Sequence, residues 1–198
     1  GDAGAFSFYP GKNLGAYGDA GAITTGDKAL ATRCRMIGNH GRVDKYNHEC
    51  EGRNSRLDGL QAAVLGVKLR HLDAWVAARN RVAAQYSAGL SGVGDLVLPT
   101  VAAGCRHAFH LYVVRTARRD ALADFLHARA IQTGIHYPIA LPKLPAYRYL
   151  GQPDEAMFAC KADRTLLSLP VGEHLGVAEV GQVIDAIKEF YRAGGADD

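Results

Sequence analysis

At 198 residues, 48% of them hydrophobic, the chain has material for one large domain or two small ones around a packed core. A net charge of +3 without a dense Lys/Arg block argues against a nucleic-acid partner, and no apolar run approaches the ~20 residues of a membrane-spanning helix. Cys34, Cys50, Cys105 and Cys160 are scattered with no C-x-x-C pair, the pattern of reduced thiols in a cytoplasmic protein and not of a disulfide framework.

The N-terminus lacks a charged leader and a long apolar stretch, so no signal peptide is expected. Gly1 stands where an initiator Met is usual, which suggests a start inside a larger protein. "AFSFYP" alternates, with Phe6 and Phe8 on one face and Ala5 and Ser7 on the other, and Pro10 stops it: a short strand. "GAITT" (21–25) reads as its hairpin partner across a glycine-rich turn. Asp27 is a candidate N-cap for a helix in which Ala29, Leu30, Cys34 and Ile37 recur at helical spacing, with Gly38 or Gly41 as the stop.

Residues 42–56 are polar and aperiodic, a long loop of the kind that often carries function. From Asp58 to about Leu90 apolar residues return every three or four positions, which predicts a long helix bent or divided near His71. A loop with a short extended piece follows Gly89. Strands are expected over 107–116 and 131–138, with an amphipathic helix over 119–130 between them. Residues 139–153 read as loop, 155–167 as helix, "SLPVG" as a turn, and 177–194 as a final amphipathic helix with a frayed "GADD" tail. This divides the chain into 1–57, a bridging helix at 58–90 and a small α/β domain at 91–198.

The chemistry centres on Lys12 in "SFYPGKNLG". A phosphate loop would need Gly where Phe6 stands and Ser or Thr where Asn13 stands, so that pattern fails. A nucleophilic amine fits better. The Pro-Gly pair can turn Lys12 back over the strand end, and a neutral lysine amine forms a Schiff base with an aldehyde. Ser7 and backbone amides of the turn could hold a phosphate nearby. The plainer alternative is a surface lysine in a hairpin loop. His107 and His110, placed on opposite faces of a strand, make poor metal ligands, and no metal site is expected from His40 and His48 either. Trp75 reads as core and "TARRD" (116–120) as a solvated turn.

"SFYPGKNLGAYGDAGAITT", "GRNSRLDGLQAAVLGVKL" (52–69), "HAFHLYVV" (107–114) and "IHYP" (135–138) together resemble the DegT/DnrJ/StrS family of pyridoxal-phosphate-dependent sugar aminotransferases, in the family's order and along the whole chain. The resemblance implies an α/β PLP-dependent transferase of the aspartate-aminotransferase-like fold type I. The pieces would be a partial large domain (1–57), the bridging helix and the C-terminal α/β small domain. It implies pyridoxal 5'-phosphate as cofactor, Lys12 as its covalent lysine and Ser7 as a phosphate ligand. Asn54 would reach the phosphate of a neighbouring subunit in a homodimer with shared active sites, with Arg56 helping at that boundary or forming a salt bridge at the helix start. His136 and Tyr137 would lie near the substrate sugar, or else merely cap a strand.

The implied reaction moves an amino group from glutamate or glutamine to a nucleotide-linked keto-deoxysugar of an antibiotic pathway, with no nucleic acid and no membrane involved. Dehydrating relatives carry His where Lys12 stands, which argues for amino transfer. The family's upstream half, including the aspartate that faces the pyridine nitrogen, has no counterpart here, so this piece alone is expected to be inactive. The rival from another class is a non-catalytic fragment serving as a binding or dimerisation module.

Overall fold

The computed structural model describes residues 1–152 and 156–194. It divides into two compact units, Gly1–Ala74 and Trp75–Asp198.

The first unit opens on an antiparallel hairpin, β1 (Ala3–Ser7) with β2 (Gly21–Thr25), in register from Ala3 opposite Thr25 to Ser7 opposite Gly21. Helix α1 (Lys28–Ile37) follows at once, because the Asp27 carboxylate accepts the N–H groups of Ala29 and Leu30 and so caps two orphan donors. Gly38 ends it, its N–H returning to the Cys34 carbonyl. The polar stretch after α1 is a folded loop. His40 and Arg53, then Gly38 and Ser55, join by backbone hydrogen bonds, and Asn39 bridges Asn54. At Gly41 φ is +76°, and a Cβ there would fall 1.5 Å from the Cys50 carbonyl oxygen, so only glycine closes this loop.

The expected long helix is divided. Helix α2 (Gly59–Leu69) stops at Arg70, and α3 (Leu72–Leu90) begins after His71. The boundary between the two units falls inside the first turn of α3.

The second unit holds the hydrophobic core. Tyr86 and Leu90 of α3 pack with β3 (Tyr112–Arg115), α4 (Arg119–His127), β4 (Leu166–Leu169) and α6 (Val177–Ala193). Two short 3-10 turns (Leu141–Lys143 and Pro145–Leu150) and the five-residue α5 (Phe158–Ala162) lie between α4 and β4. Strand β3 pairs antiparallel with β4, Tyr112 opposite Leu169. Single bridges extend this sheet on both sides, Val97 to Arg115 and Gly134 to Ser168.

Several expectations are corrected here. The strand predicted over 107–116 is confined to Tyr112–Arg115. Phe109 adopts φ +41°, and its N–H goes to His107 Nδ1 at 2.9 Å. Helix α3 satisfies the carbonyls upstream of β3 instead: Arg79 Nη1 donates to those of Phe109 and His110, and Asn80 Nδ2 to that of His107. The opposite-face argument for His107 and His110 therefore lapses, although the described residues include no group of three potential metal ligands.

Residues 131–138 form one bridge rather than a strand, because only Gly134 reaches β4. The helix expected over 155–167 is real only at Phe158–Ala162, and Ser168 and Leu169, expected in a turn, belong to β4. The beginning of that predicted helix and the "GADD" tail fall outside the described residues. Trp75 is half-buried and outside the core. "TARRD" is an exposed turn only at Ala117 and Arg118; Thr116 is buried, donating to Asp95 at 2.6 Å and paired with the Tyr191 hydroxyl at 2.8 Å, and Arg119 and Asp120 begin α4. No described helix is long and apolar enough to cross a membrane.

Candidate functional site

Lys12 sits where the hairpin's first strand gives way to a tight turn. Its N–H donates to the Tyr9 carbonyl at 2.8 Å, closing a β-turn with Pro10 and Gly11 at the centre, as a Pro-Gly pair favours. The side chain is half-buried. Ser7 ends β1 and is exposed. Its Oγ accepts the Tyr9 N–H at 3.3 Å, which leaves the hydroxyl proton available to an external acceptor.

The glycine-rich stretch after Lys12 is less open than an anion cradle would be. Phe8 N–H goes to the Ala20 carbonyl, Ala16 N–H to Phe8, and Tyr17 N–H to Gln61 Oε1, all at 2.8 Å. Gly15 lies against the turn itself, and a Cβ on it would come within 2.2 Å of the Pro10 carbonyl oxygen. Helix α2 clamps this arrangement from below: Lys68 Nζ donates to the Gly15 carbonyl and lies 5.5 Å from the Tyr17 ring centre. Gln61 and Lys68 are supporting residues that the sequence did not single out. Gln61 stands inside the quoted "GRNSRLDGLQAA" stretch, which is the only signal that could have pointed to it.

Asn54 is exposed on the 38–56 loop. Arg56 Nε donates to Asn54 Oδ1 at 3.0 Å and Arg56 Nη1 to Asn39 Oδ1 at 3.4 Å. With its oxygen engaged, the Asn54 amide presents its NH2 group as a donor, the polarity a phosphate oxygen needs. Arg56 thus turns to Asn54 and Asn39; it is absent from the salt bridges among the described residues.

His136 and Tyr137 lie in the second unit. His136 is half-buried, with Nδ1 2.8 Å from Ser168 Oγ, whereas Tyr137 is 68% exposed. Tyr137 stands at the edge of a cavity of about 680 Å³ whose other walls are almost wholly apolar, among them Ile139, Leu141, Phe158 and Leu166. One wall is pinned by a partly buried ion pair: Lys143 Nζ meets Oδ2 of the buried Asp163 at 2.9 Å, and the same carboxylate accepts the Ala140 N–H at 3.1 Å. The Lys143 hydrogen bond, with that of Ala140, holds the Asp163 carboxyl below the ordinary carboxylate range against the opposing effect of burial.

Ser7 and Lys12 are therefore brought to one turn. Asn54 occupies a second loop of the same unit, and His136 and Tyr137 form a separate pair in the other. A hydroxyl and an amide that can donate to a phosphate, with a half-buried lysine in the same unit, are residue types that fit a phosphorylated aldehyde.

Known proteins are similar to this chain in sequence and in fold. A transaminase of Streptomyces venezuelae, dTDP-3-amino-3,4,6-trideoxy-alpha-D-glucose transaminase, is 48% identical over 187 residues, covering 94% of this chain and 49% of its own length. UDP-N-acetyl-3-dehydro-alpha-D-glucosamine 3-aminotransferase of Acidithiobacillus ferrooxidans is 38% identical, over 95% of this chain and 50% of its own. The crystal structure of DesV from S. venezuelae in complex with a ketimine intermediate superposes with a TM-score of 0.91 at 46% identity, covering 96% of this chain and 52% of that one. The chain spans about half the length of the relatives it matches. The likeness makes this α/β architecture part of the fold type I, PLP-dependent class. The family profile matches residues 1–188, and the chain belongs to the DegT/DnrJ/EryC1/StrS aminotransferase family.

Proposed function

We propose that this chain is the lysine-bearing part of a PLP-dependent aminotransferase that moves an amino group from glutamate or glutamine to a keto carbon of a nucleotide-linked deoxysugar, in an antibiotic pathway of the cytoplasm. The observation that carries the proposal is the half-buried Lys12 on a Pro-Gly turn, with the hydroxyl of Ser7, at the end of the preceding strand, able to donate. The relatives named above are transaminases of nucleotide-linked sugars, which agrees with this substrate class.

When bound, pyridoxal 5'-phosphate supplies an electron sink for charge developing at the substrate carbon. Lys12 Nζ is the group that would hold the cofactor at its aldehyde carbon and that, when free and neutral, would carry a proton during transfer. Ser7 Oγ donates to the phosphate. The Asn54 amide, oriented by Arg56, donates to the phosphate of a neighbouring subunit, so the working form is a homodimer with shared sites. His136 and Tyr137 contact the sugar. In domain terms, residues 1–57 belong to the large domain, 58–90 bridge, and 91–198 form the small domain.

The test is covalent trapping. The purified chain is mixed with pyridoxal 5'-phosphate, reduced with borohydride and mapped by mass spectrometry. A phosphopyridoxyl group on Lys12 is expected, with no turnover by this chain alone, because it spans about half of its relatives. Labelling spread over surface lysines with none at Lys12 would overturn the proposal and favour a non-catalytic binding or dimerisation module.

A further inference from the structure

Ser168 is a polar residue in a strand otherwise made of leucines, and it is 4% exposed. Leu167 and Leu169 are core residues, so alternation along β4 puts the Ser168 side chain on the opposite face. The segment that reaches that side chain runs from Gly134, paired to Ser168 at the edge of β4, to His136. Gly134 N–H donates to the Ser168 carbonyl at 3.1 Å and the Ser168 N–H to the Gly134 carbonyl at 2.7 Å. The chain then folds the His136 ring back until Nδ1 lies 2.8 Å from Ser168 Oγ. Position 134 must lack a side chain for this, since a Cβ would stand 2.7 Å from the ring's Cε1. His136 Nε2 has no hydrogen bond to the described residues and is not among their fully buried, unpartnered atoms, on a residue that is half-buried overall.

The direction of the Ser168–His136 hydrogen bond follows from what each group can offer. A hydroxyl donates one proton, and a neutral imidazole carries its proton on one nitrogen only. Among the described residues, His136 Nδ1 is the hydrogen-bond partner of the Ser168 side chain. If Nδ1 carried the proton, the hydroxyl would accept it and its own buried proton would lack an acceptor, which is costly. With the hydroxyl donating to Nδ1, both groups are satisfied and the ring proton sits on Nε2.

We infer that Ser168 is a positioning residue whose hydroxyl clamps the His136 ring in the Nε2–H tautomer, so that a neutral N–H donor faces outward next to Tyr137. Such a group suits an oxygen acceptor, a sugar hydroxyl or carbonyl. A metal ion would instead need the Nε2 lone pair. The sugar as ligand rests on the function proposed above; the tautomer does not.

The test is long-range 15N–1H NMR on the chain labelled at histidine nitrogen, at a pH of about 8.5 where ordinary imidazoles are neutral. The His136 signals are identified by their disappearance in His136→Gln. The expected pattern is a protonated Nε2 and an unprotonated Nδ1. Ser168→Ala should shift both nitrogens toward an averaged mixture of tautomers, and Ser168→Thr should restore the parent pattern. Should Ser168→Ala fail to fold, Ser168→Cys keeps the volume with a weaker donor and should give a partial shift. A parent spectrum with the proton on Nδ1, or a tautomer unmoved in the alanine and cysteine variants, overturns the inference. Titration with dTDP-glucose separates the two claims. An Nε2 resonance that ignores the sugar nucleotide while still responding to Ser168 removes the sugar contact and leaves the clamp.

Discussion

Lys12 shows how little a single residue's type reveals and how much its setting adds. A lysine in a hairpin loop is ordinary; Lys12 differs in being half-buried on a closed Pro-Gly turn that follows Ser7, and its proposed role rests on that setting. Lys12→Ala should abolish the borohydride-fixed adduct while the circular dichroism spectrum stays that of the parent. Ser7→Ala should weaken pyridoxal 5'-phosphate binding roughly tenfold or more, as expected for one charge-assisted hydrogen bond of about 1.5–3 kcal/mol, read by equilibrium dialysis. Its bond to the Tyr9 N–H is long, so the hairpin should survive the change.

Among elements, the informative cases are those whose backbone partners come from elsewhere. The hairpin and α1 were legible in the sequence because their signals are local: alternation, a Pro-Gly stop, and an aspartate one residue before the helix. The break after Arg70 was legible as a limit on helix length near His71. Residues 107–111 were not, because Arg79 and Asn80 on α3 draw their carbonyls away from a strand. Nor was β4, whose leucines fit a helix equally well until β3 supplies a partner. Close packing at the Lys12 turn leads to a further expectation. Gly15→Ala drives a methyl into the Pro10 carbonyl and should reduce adduct formation on Lys12 without lowering the stability of the second unit, measured by trapping and by denaturant titration together. Conversely, Leu122→Ala in α4 empties a fully buried site and should cost the second unit about 2–5 kcal/mol.

At the scale of the whole molecule the two units differ in how much they bury. Among the described residues, the buried hydrophobic side chains of the first unit are Ala16 and Leu65, whereas Phe6, Ile23, Leu60 and Val67 are all more than half exposed. Hydrogen exchange should therefore be fast across residues 1–74 and slow in α3, β3, β4 and α6, where the core resides. The exposed strand faces also favour association of the first unit at high concentration.

Acid should act on the second unit. Burial pushes the Asp95 carboxyl up, but hydrogen bonds from Thr116, Tyr191 and the Ala117 N–H outweigh it and hold it low, as Lys143 holds Asp163. A carboxyl whose pKa falls on folding stabilises the fold above its unfolded value, near about 3.9. That stabilisation is lost as the pH drops through the lower, folded value. Denaturant midpoints should be level above about pH 5 and fall below about pH 4. Asp163→Asn should flatten part of that fall.

By itself the sequence pointed to the family, the covalent lysine candidate, the hairpin, the capped α1 and the amphipathic α4 and α6, because caps, turns and periodicity are local physics. Only the tertiary structure decided which carbonyls α3 would take from residues 107–110, that Thr116 would be buried against Asp95 and Tyr191, and that the His136 ring would meet a serine 32 positions away. Those outcomes depend on pairing between distant segments, where each buried polar group takes whichever partner the fold brings within reach.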